Sequence, residues 1–292
     1  MRVRVLVCLV MLLGVAGVAS AGNNFNGSVN GDWSNVGNWD MAHVPENSTT
    51  DPGSYVPQWG NDCGVTTNAA MVIGTGENHA SYSLQIGLYG ADNASVTMNG
   101  GTLTVGNWGM DVGRGNSNDH GTGSGLLTMT GGLINIGGNL VVSQEWRNSG
   151  VLGTITGVVN MSGGVINAPM MRIGMYDGPG TINLSGTAVM NLSNQLQMNT
   201  GWGGWGEPDA CPSAELNILG GAALNIIGGG TPELVAAEMQ HYQDYIDLGW
   251  IHSGADVATM SYNAQTNIIR ITPEPATMLL LGLGGLLLRR KP

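Results

Sequence analysis

A carboxylate and a guanidinium at matching positions of two short apolar segments are the first candidates for chemistry. Asp111 lies in Met110-Asp111-Val112 and Arg172 in Met171-Arg172-Ile173. Elimination from a polysaccharide needs a positioned base, commonly Arg or Lys in lyases, beside carboxylates that hold Ca²⁺. A segment of the same kind, Leu140-Val141-Val142, lies between them in the chain, so stacked strands would place them roughly 10 Å apart. Hydrolytic carboxyl pairs stand about 5–9.5 Å apart, and no aligned pair offers this. We therefore expect no catalytic residues.

The histidines show no metal-binding arrangement. None has the i, i+4 spacing of a helical zinc motif or a close cysteine–histidine grouping. Asp119-His120 lies in a glycine-rich loop, where a solvated turn is the simpler interpretation. We expect no metal and no cofactor at these positions, which are His43, His79, His120, His241 and His252.

Four tryptophans fall at bends between strand-like segments: Trp108, Trp146, Trp202 and Trp205. The simpler interpretation is that each indole packs locally over a glycine turn. Exposed indoles also stack on sugar rings, with neighbouring amides and carboxylates bonding the hydroxyls. Glycan contact is therefore the functional alternative for these four residues.

The composition excludes several classes of protein. The chain has 292 residues and 49 glycines, and 10% of its residues are charged, against roughly 25% in ordinary globular proteins. Residues 22–272 contain 19 acidic residues and four arginines, a net charge of −15. Such a body repels phosphate backbones and anionic lipid surfaces. We therefore expect no nucleic acid partner. The many glycines indicate that any functional residues are positioned by short elements between glycine turns.

A unit of two short strands around a Gly-Gly pair recurs along the chain. Its clear copies begin at Ser95, Leu126 and Val158, and looser copies begin at Thr181 and Glu215. A third short strand precedes each copy, and these strands start 26, 30, 31 and 25 residues apart, at Leu84, Met110, Leu140, Met171 and Leu196. Five copies at this period are typical of a stacked solenoid. The sequence thus predicts an all-β, three-faced, single-stranded parallel β-helix over residues 82–230, with its handedness open.

Alternation along each strand predicts which side chains point inward. Val96, Leu127, Val159, Ile182 and Leu216 are assigned to the interior. Two polar rows are predicted outside, with like residues stacked ~4.8 Å apart and able to bond along the row. The first polar row is Thr97, Thr128, Asn160, Asn183 and Asn217, and the second is Thr104, Asn135, Asn167, Asn191 and Asn225.

Both ends of such a stack need covers. Residues 22–81, with Trp33, Trp39 and Pro45 at equal spacing, predict a loop-rich N-terminal cap. Residues 231–272 predict a C-terminal cap, with a helix at 232–248 after the N-cap Thr231 and a hairpin whose strands flank residues 263–267.

Two cysteines remain outside the amino-terminal segment, Cys63 and Cys211. An exported protein meets oxidising conditions, so a disulfide between them is one possibility. Four coil rises separate their levels by about 19 Å, beyond the ~7 Å that two bridged Cα atoms tolerate. The spacing favours two free thiols, unless the N-terminal cap folds back along the stack.

Residues 1–21 have the three parts of a secretory signal. Arg2 and Arg4 precede an apolar core, and Ala19-Ser20-Ala21 supplies the small residues at a cleavage site. The core is short for a membrane span. The sequence therefore predicts export, with cleavage after Ala21.

The last 20 residues have three parts as well: Pro273-Glu274-Pro275, the apolar run 276–288, and Arg289-Arg290-Lys291. This tail, residues 273–292, resembles the PEP-CTERM sorting signal of Gram-negative bacteria. The resemblance implies recognition by an exosortase, removal of the tail, and export in bacteria that often make extracellular polysaccharide. The run spans roughly 20 Å against a ~30 Å hydrocarbon core, which suggests a transient inner-membrane intermediate with the basic cluster in the cytoplasm.

The leading interpretation is a non-enzymatic exported protein of the cell surface or extracellular matrix. The body is similar to autotransporter-like passengers, whose repeats often follow an opening such as Trp33, Trp39 and Pro45. The alternative is a glycan-binding or polysaccharide-active β-helix. The expected partners are an exosortase-type enzyme and, for the alternative, extracellular polysaccharide.

Overall fold

Strands dominate the part of the chain that the structure describes, which also contains one α-helix. The computed structural model describes residues 24–39, 42, 44–45, 63–65, 69–88, 93–115, 123–144, 155–175, 178–199, 214–254 and 256–274. The strands are β1 (Asn24–Phe25), β2 (Cys63–Val65), β3 (Ala70–Ile73), β4 (Asn78–Leu88), β5 (Asn93–Met98), β6 (Thr102–Arg114), β7 (Ser124–Met129), β8 (Leu133–Ile136), β9 (Asn139–Gln144), β10 (Thr156–Met161), β11 (Val165–Met175), β12 (Gly180–Leu184), β13 (Val189–Met198), β14 (Glu215–Ile218), β15 (Ala223–Ile227), β16 (Ile251–Ser253), β17 (Asp256–Asn263) and β18 (Ile268–Pro273). The helix, α1, spans Pro232–Asp247. The sheet is mixed and mostly parallel.

A first ladder of parallel strands contains β3, β5, β7, β10, β12, β14 and β16, in that order. We call each strand of a ladder a rung. The register aligns the five residues assigned to the interior, and all five side chains are fully buried: Val96, Leu127, Val159, Ile182 and Leu216. The inward alignment predicted from the glycine-aligned repeats is therefore confirmed for this ladder.

Two further ladders are connected through long strands that bend. The opening residues of β4, β6, β11 and β13 pair with β8 and β15 in a second ladder. Their closing residues pair with β2 and β9 in a third ladder, after a register shift in β4 and in β11. The five predicted third strands pair in register, with their first residues fully buried: Leu84, Met110, Leu140, Met171 and Leu196.

The parallel pairing continues toward the N-terminus beyond the predicted repeats. β2 pairs with β4, β3 pairs with β5, and β1 pairs with β2. Residue 82 lies inside β4. Trp33 and Trp39 are buried and pack edge to face, and Trp39 packs in the same way on Phe25. The Trp39 Nε1–H donates to the Trp33 carbonyl at 2.8 Å. This aromatic cluster covers β1 with apolar surface.

The bend that leaves the third ladder has the same backbone conformation in five rungs. Residues with φ between 53° and 77° stand there: Gly87, Gly113, Ser143, Gly174 and Asn199. An added Cβ would meet the carbonyl of Ser124 in β7 at Gly87, and that of Thr156 in β10 at Gly113. Glycine is therefore required at these two positions both by conformation and by the close approach of these strands of the first ladder.

The C-terminal end of each ladder is covered by a different element. The last rung of the first ladder, β16, pairs antiparallel with β17. The second ladder ends on β18, which pairs antiparallel with β15 and with β17. At the third, α1 packs against β13, where the Tyr242 and Tyr245 hydroxyls accept the Leu196 and Met198 N–H groups at 3.4 and 3.3 Å. The predicted helix is present, and the Thr231 side chain caps it through the Leu234 N–H. The predicted hairpin is also present, as β17 and β18.

The inside–outside assignment predicts opposite effects for neighbouring residues of β8. Ile134 is fully buried, so Ile134→Asp places an unpaired charge in the interior and should cost several kcal/mol, enough to unfold the body. Asn135→Ser removes one amide hydrogen bond and should cost about 1 kcal/mol. Thermal denaturation followed by circular dichroism measures both. Equal effects of the two substitutions would contradict the assignment.

The two capping tyrosines predict a loss of stability at alkaline pH. Burial raises the pKa of Tyr245 from 10.0 to about 12, and burial also raises the pKa of Tyr242. The folded state therefore retains these protons more strongly, so the stabilisation is complete below pH 10 and is lost as the pH rises through about 12. Chemical denaturation across this range should show a smaller alkaline loss for Tyr242→Phe/Tyr245→Phe than for wild type. The exposed Tyr262→Phe is the control, and an unchanged loss in the double variant contradicts the capping role.

Candidate functional site

The two predicted polar rows are stacked in register on the outer surface of the first and second ladders. In the second row, Asn167, Asn191 and Asn225 each donate Nδ2–H to the Oδ1 of the asparagine one rung earlier, at 2.9 Å. In the first row, Asn183 and Asn217 do the same at 2.8 Å. The predicted hydrogen bonding along both rows is therefore confirmed for the asparagines.

The strands that carry these rows are almost without charge. Between residues 93 and 227, the strand segments of the first and second ladders contain one charged residue, Glu215. The other outward positions hold hydroxyl side chains, such as Thr102 and Thr156, and half-buried apolar side chains, such as Val158, Val165 and Val189. Two surfaces of a strongly acidic protein are thus neutral, with apolar and amide groups side by side.

A groove of about 420 Å³ follows the second polar row. It lies at the corner where the chain leaves the second ladder for the third. Its lining is uncharged and consists of Asn135, Ile136, Asn167, Ala168, Pro169, Asn191, Leu192, Ser193, Asn225, Ile226, Ile227 and Ile268. The sequence predicted the asparagine row but not the groove, because the depth of the corner depends on how the strands bend.

Asp111 and Arg172 occupy the places that the spacing predicts. Both pair with Val141 in the third ladder, one rung on either side of it. Arg114 Nη1 lies 2.9 Å from Asp111 Oδ2 in an ion pair that the sequence analysis missed. Arg172 Nε lies 3.3 Å from the Met170 sulfur. The only signal for the ion pair was the i, i+3 spacing across the bend at Gly113.

The outward positions of the third ladder are less accessible than those of the other two. Three residues of this ladder, Gln85, Val141 and Gln197, lie in one column of the register. Each of them is at most 7% exposed. Asp111 and Arg172 in the same column are half-buried. Strand alternation predicts the direction of a side chain, but it does not predict what packs over it.

The described histidines each contact a neighbouring group. His79 Nε2 lies 3.1 Å from Glu77 Oε2, and its ring stacks on Trp33. His241 Nε2 lies 2.6 Å from the Tyr245 hydroxyl, and burial lowers the pKa of His241 despite the nearby Asp244 carboxylate. Among the described residues, no three His, Cys, Asp or Glu side chains are grouped as metal ligands would be. His43 and His120 lie outside those residues.

Of the tryptophans considered for glycan contact, Trp108 is the one within the described residues. It is 56% exposed at the corner between the second and third ladders. The Gly138 N–H, one rung later, donates to the Gly106 carbonyl at 3.1 Å. Trp108 therefore lies at the corner one rung before Asn135, outside the residues that line the groove. Other predicted positions lie outside the described residues: Trp146, Trp202, Trp205, Ala19, Ala21 and Cys211. Cys63 begins β2, and its pairing with Cys211 stays a prediction.

The described chain ends where the tail motif begins. Pro273 is the last residue of β18 and pairs with Ala258 of β17. The Thr259 hydroxyl lies 3.4 Å from the carbonyl oxygens of both Thr272 and Pro273, and Glu274 is exposed. The rest of the motif lies outside the described residues: Pro275, Arg289, Arg290 and Lys291.

Residues 272–291 match the model of the PEP-CTERM protein-sorting motif. This match supports an exported protein that an exosortase sorts to the cell surface. No curated protein and no solved structure matches the chain. Within the described ranges, no helix combines the length and the apolar character that a membrane crossing requires.

Proposed function

We propose that the chain is a non-catalytic structural protein of the cell surface or extracellular matrix, processed by an exosortase-type enzyme at its C-terminal tail. The sorting motif at residues 272–291 is the observation that carries this proposal. The signal-like segment 1–21 supports it, because both ends of the chain then have a role in export.

The position of the motif relative to the fold limits where processing occurs. Thr272 and Pro273 complete β18, which pairs with β15 at the end of the second ladder. Cleavage upstream of Ile268 would remove β18 and expose the β15 edge, a site for unwanted pairing. Cleavage after Pro273 leaves every pair of β18 intact. We therefore assign the cut to the residues that follow β18.

The same proposal includes the winding of the body. We interpret the three ladders as the three faces of a parallel β-helix. β4, β6, β11 and β13 each pass from the second ladder into the third within one strand. Side chains that bond along the polar rows are 23 to 34 residues apart in sequence. A rod of this kind suits a structural role, since each repeat contacts only its neighbours.

The contacts of the third ladder support a non-catalytic role. The Asp111 carboxylate is held by Arg114, and the Arg172 guanidinium lies against the sulfur atoms of Met170 and Met175. A general base must instead reach the proton that it removes. Release of unsaturated uronates from an acidic polysaccharide by the purified protein, abolished in Arg172→Ala, would contradict this role.

Binding of extracellular polysaccharide is the second candidate function. An exposed indole, Trp108, and an uncharged groove that begins one rung later at Asn135 favour it. Such binding is compatible with a structural role in a matrix. A rod that holds polymer chains together needs binding sites for these chains, but it needs no catalytic residues.

Mass spectrometry of the protein isolated from its host tests the processing. The mature chain should end within a few residues after Pro273 and should be recovered from the outer surface or the medium. Replacing Pro273, Glu274 and Pro275 with alanine should abolish the cut and retain the chain in the inner membrane. Replacing Gln265 in the exposed β17–β18 turn with alanine is the control and should leave processing unchanged.

Recovery of the chain through Pro292 from the inner membrane of the wild-type host, unchanged by the three alanines, would contradict the proposal. A terminus upstream of Ile268 would contradict the assigned cut, though it would leave export itself supported.

A further inference from the structure

The asparagines that line the groove keep hydrogen-bonding groups available. An amide has two N–H donors and an oxygen with two lone pairs. Asn167 and Asn191 each use one donor and one lone pair on their neighbours in the row. Each therefore retains one N–H and one lone pair for a ligand. The bonds along the row also hold the amides in place, so little side-chain entropy is lost on binding.

These free groups are repeated at regular intervals beside an apolar wall. Rungs of the ladder are roughly 4.8 Å apart, so the four asparagines extend over about 14 Å. Pro169, Leu192 and Ile227 form part of the wall, and Ile227 is 47% exposed. A few ordered polar groups against an apolar lining are typical of a small-ligand site. The repetition fits an extended polymer better than a compact molecule.

Charge selects among extended polymers. No charged side chain lines the groove, whereas residues 22–272 carry a net charge of −15. An anionic chain would be repelled by that field and would find no cation in the lining, since the exposed Arg270 that pairs with Asn225 lies beyond the lining residues. A cationic chain would find no carboxylate there. An uncharged chain with hydroxyl or amide groups matches both the lining and the surrounding field.

We propose that this groove binds an uncharged, extended glycan chain that lies along the asparagine row. The sugar hydroxyls bond to the free donors and acceptors of Asn167 and Asn191, and the apolar faces of the rings pack on the Pro169–Ile227 side. Trp108, at the corner one rung before Asn135, supplies an exposed indole on which a further ring stacks. This site rests on the second candidate function, the binding of extracellular polysaccharide, and specifies its ligand, but it does not depend on how the tail is processed.

Titration calorimetry with the protein purified from its host tests the site. Cellohexaose and chitohexaose are the uncharged probes, and an oligogalacturonate of the same length is the acidic control. We expect saturable binding of at least one uncharged probe and none of the oligogalacturonate. Ser193→Arg fills the groove from an exposed position and should weaken binding by about tenfold or more. Trp108→Ala should also weaken it.

The matched control is Thr187→Arg, because Thr187 is exposed in the turn between β12 and β13, away from the groove lining, and Ser193 follows in the same repeat. Thr187→Arg should bind the uncharged probe as wild type does. Ser193→Arg, Trp108→Ala and Thr187→Arg should all have the melting temperature of wild type. Absence of binding of both uncharged probes, or equal binding by Ser193→Arg and Thr187→Arg, overturns the proposal. A dimer that ultracentrifugation detects and Ser193→Arg abolishes would overturn it as well, since a second copy would then occupy the groove.

Discussion

Parallel pairing in register between successive repeats decides where nearly every other side chain lies. Because side chains alternate along a strand, a slip of one residue would bury the Asn135 amide and expose Ile134. Stacking places each residue beside its equivalents at roughly 4.8 Å, where like charges would repel. Neutral amides, hydroxyls and aliphatic groups tolerate such stacking. The scarcity of charge in the ladders, and its concentration elsewhere in the chain, follow from this one constraint.

The constraint also creates open edges that the ends of the chain must cover. On β13, two backbone N–H groups donate hydrogen bonds to the hydroxyls of Tyr242 and Tyr245. The edge of β15 pairs with β18. The sorting motif, residues 272–291, begins within the last two residues of β18, so the residues needed for closure are adjacent to those proposed to be processed. An enzyme that cuts after Pro273 can release the protein without reopening the sheet.

The sequence predicted the features that repetition controls, and it missed those that depend on tertiary contacts. The Gly-Gly pairs aligned Val96 with Leu127 and Asn135 with Asn167, and the register agrees. The sequence did not identify β3 as a rung of the ladder. The turn that follows β3 has one residue between Gly74 and Gly76, so the Gly-Gly pair that marks the other repeats is absent there. The Arg114 ion pair and the tyrosine contacts join residues whose meeting depends on bends and on helix docking, which no repeat marks. The groove has the same origin, since its wall comes from the corner rather than from a motif.

Distances between spin labels in the purified protein test the stacking most directly. The turn column after the first ladder contains Asn99, Ser162, Ser185 and Leu219, in positions linked rung by rung through backbone hydrogen bonds. With Cys63 and Cys211 replaced by serine, one label at Asn99 and a second at Ser162, Ser185 or Leu219 should give separations that grow by roughly 4.8 Å per rung, to about 19 Å for Leu219. Separations that do not increase in this order would contradict the stacked arrangement and, with it, the continuous asparagine row and its groove.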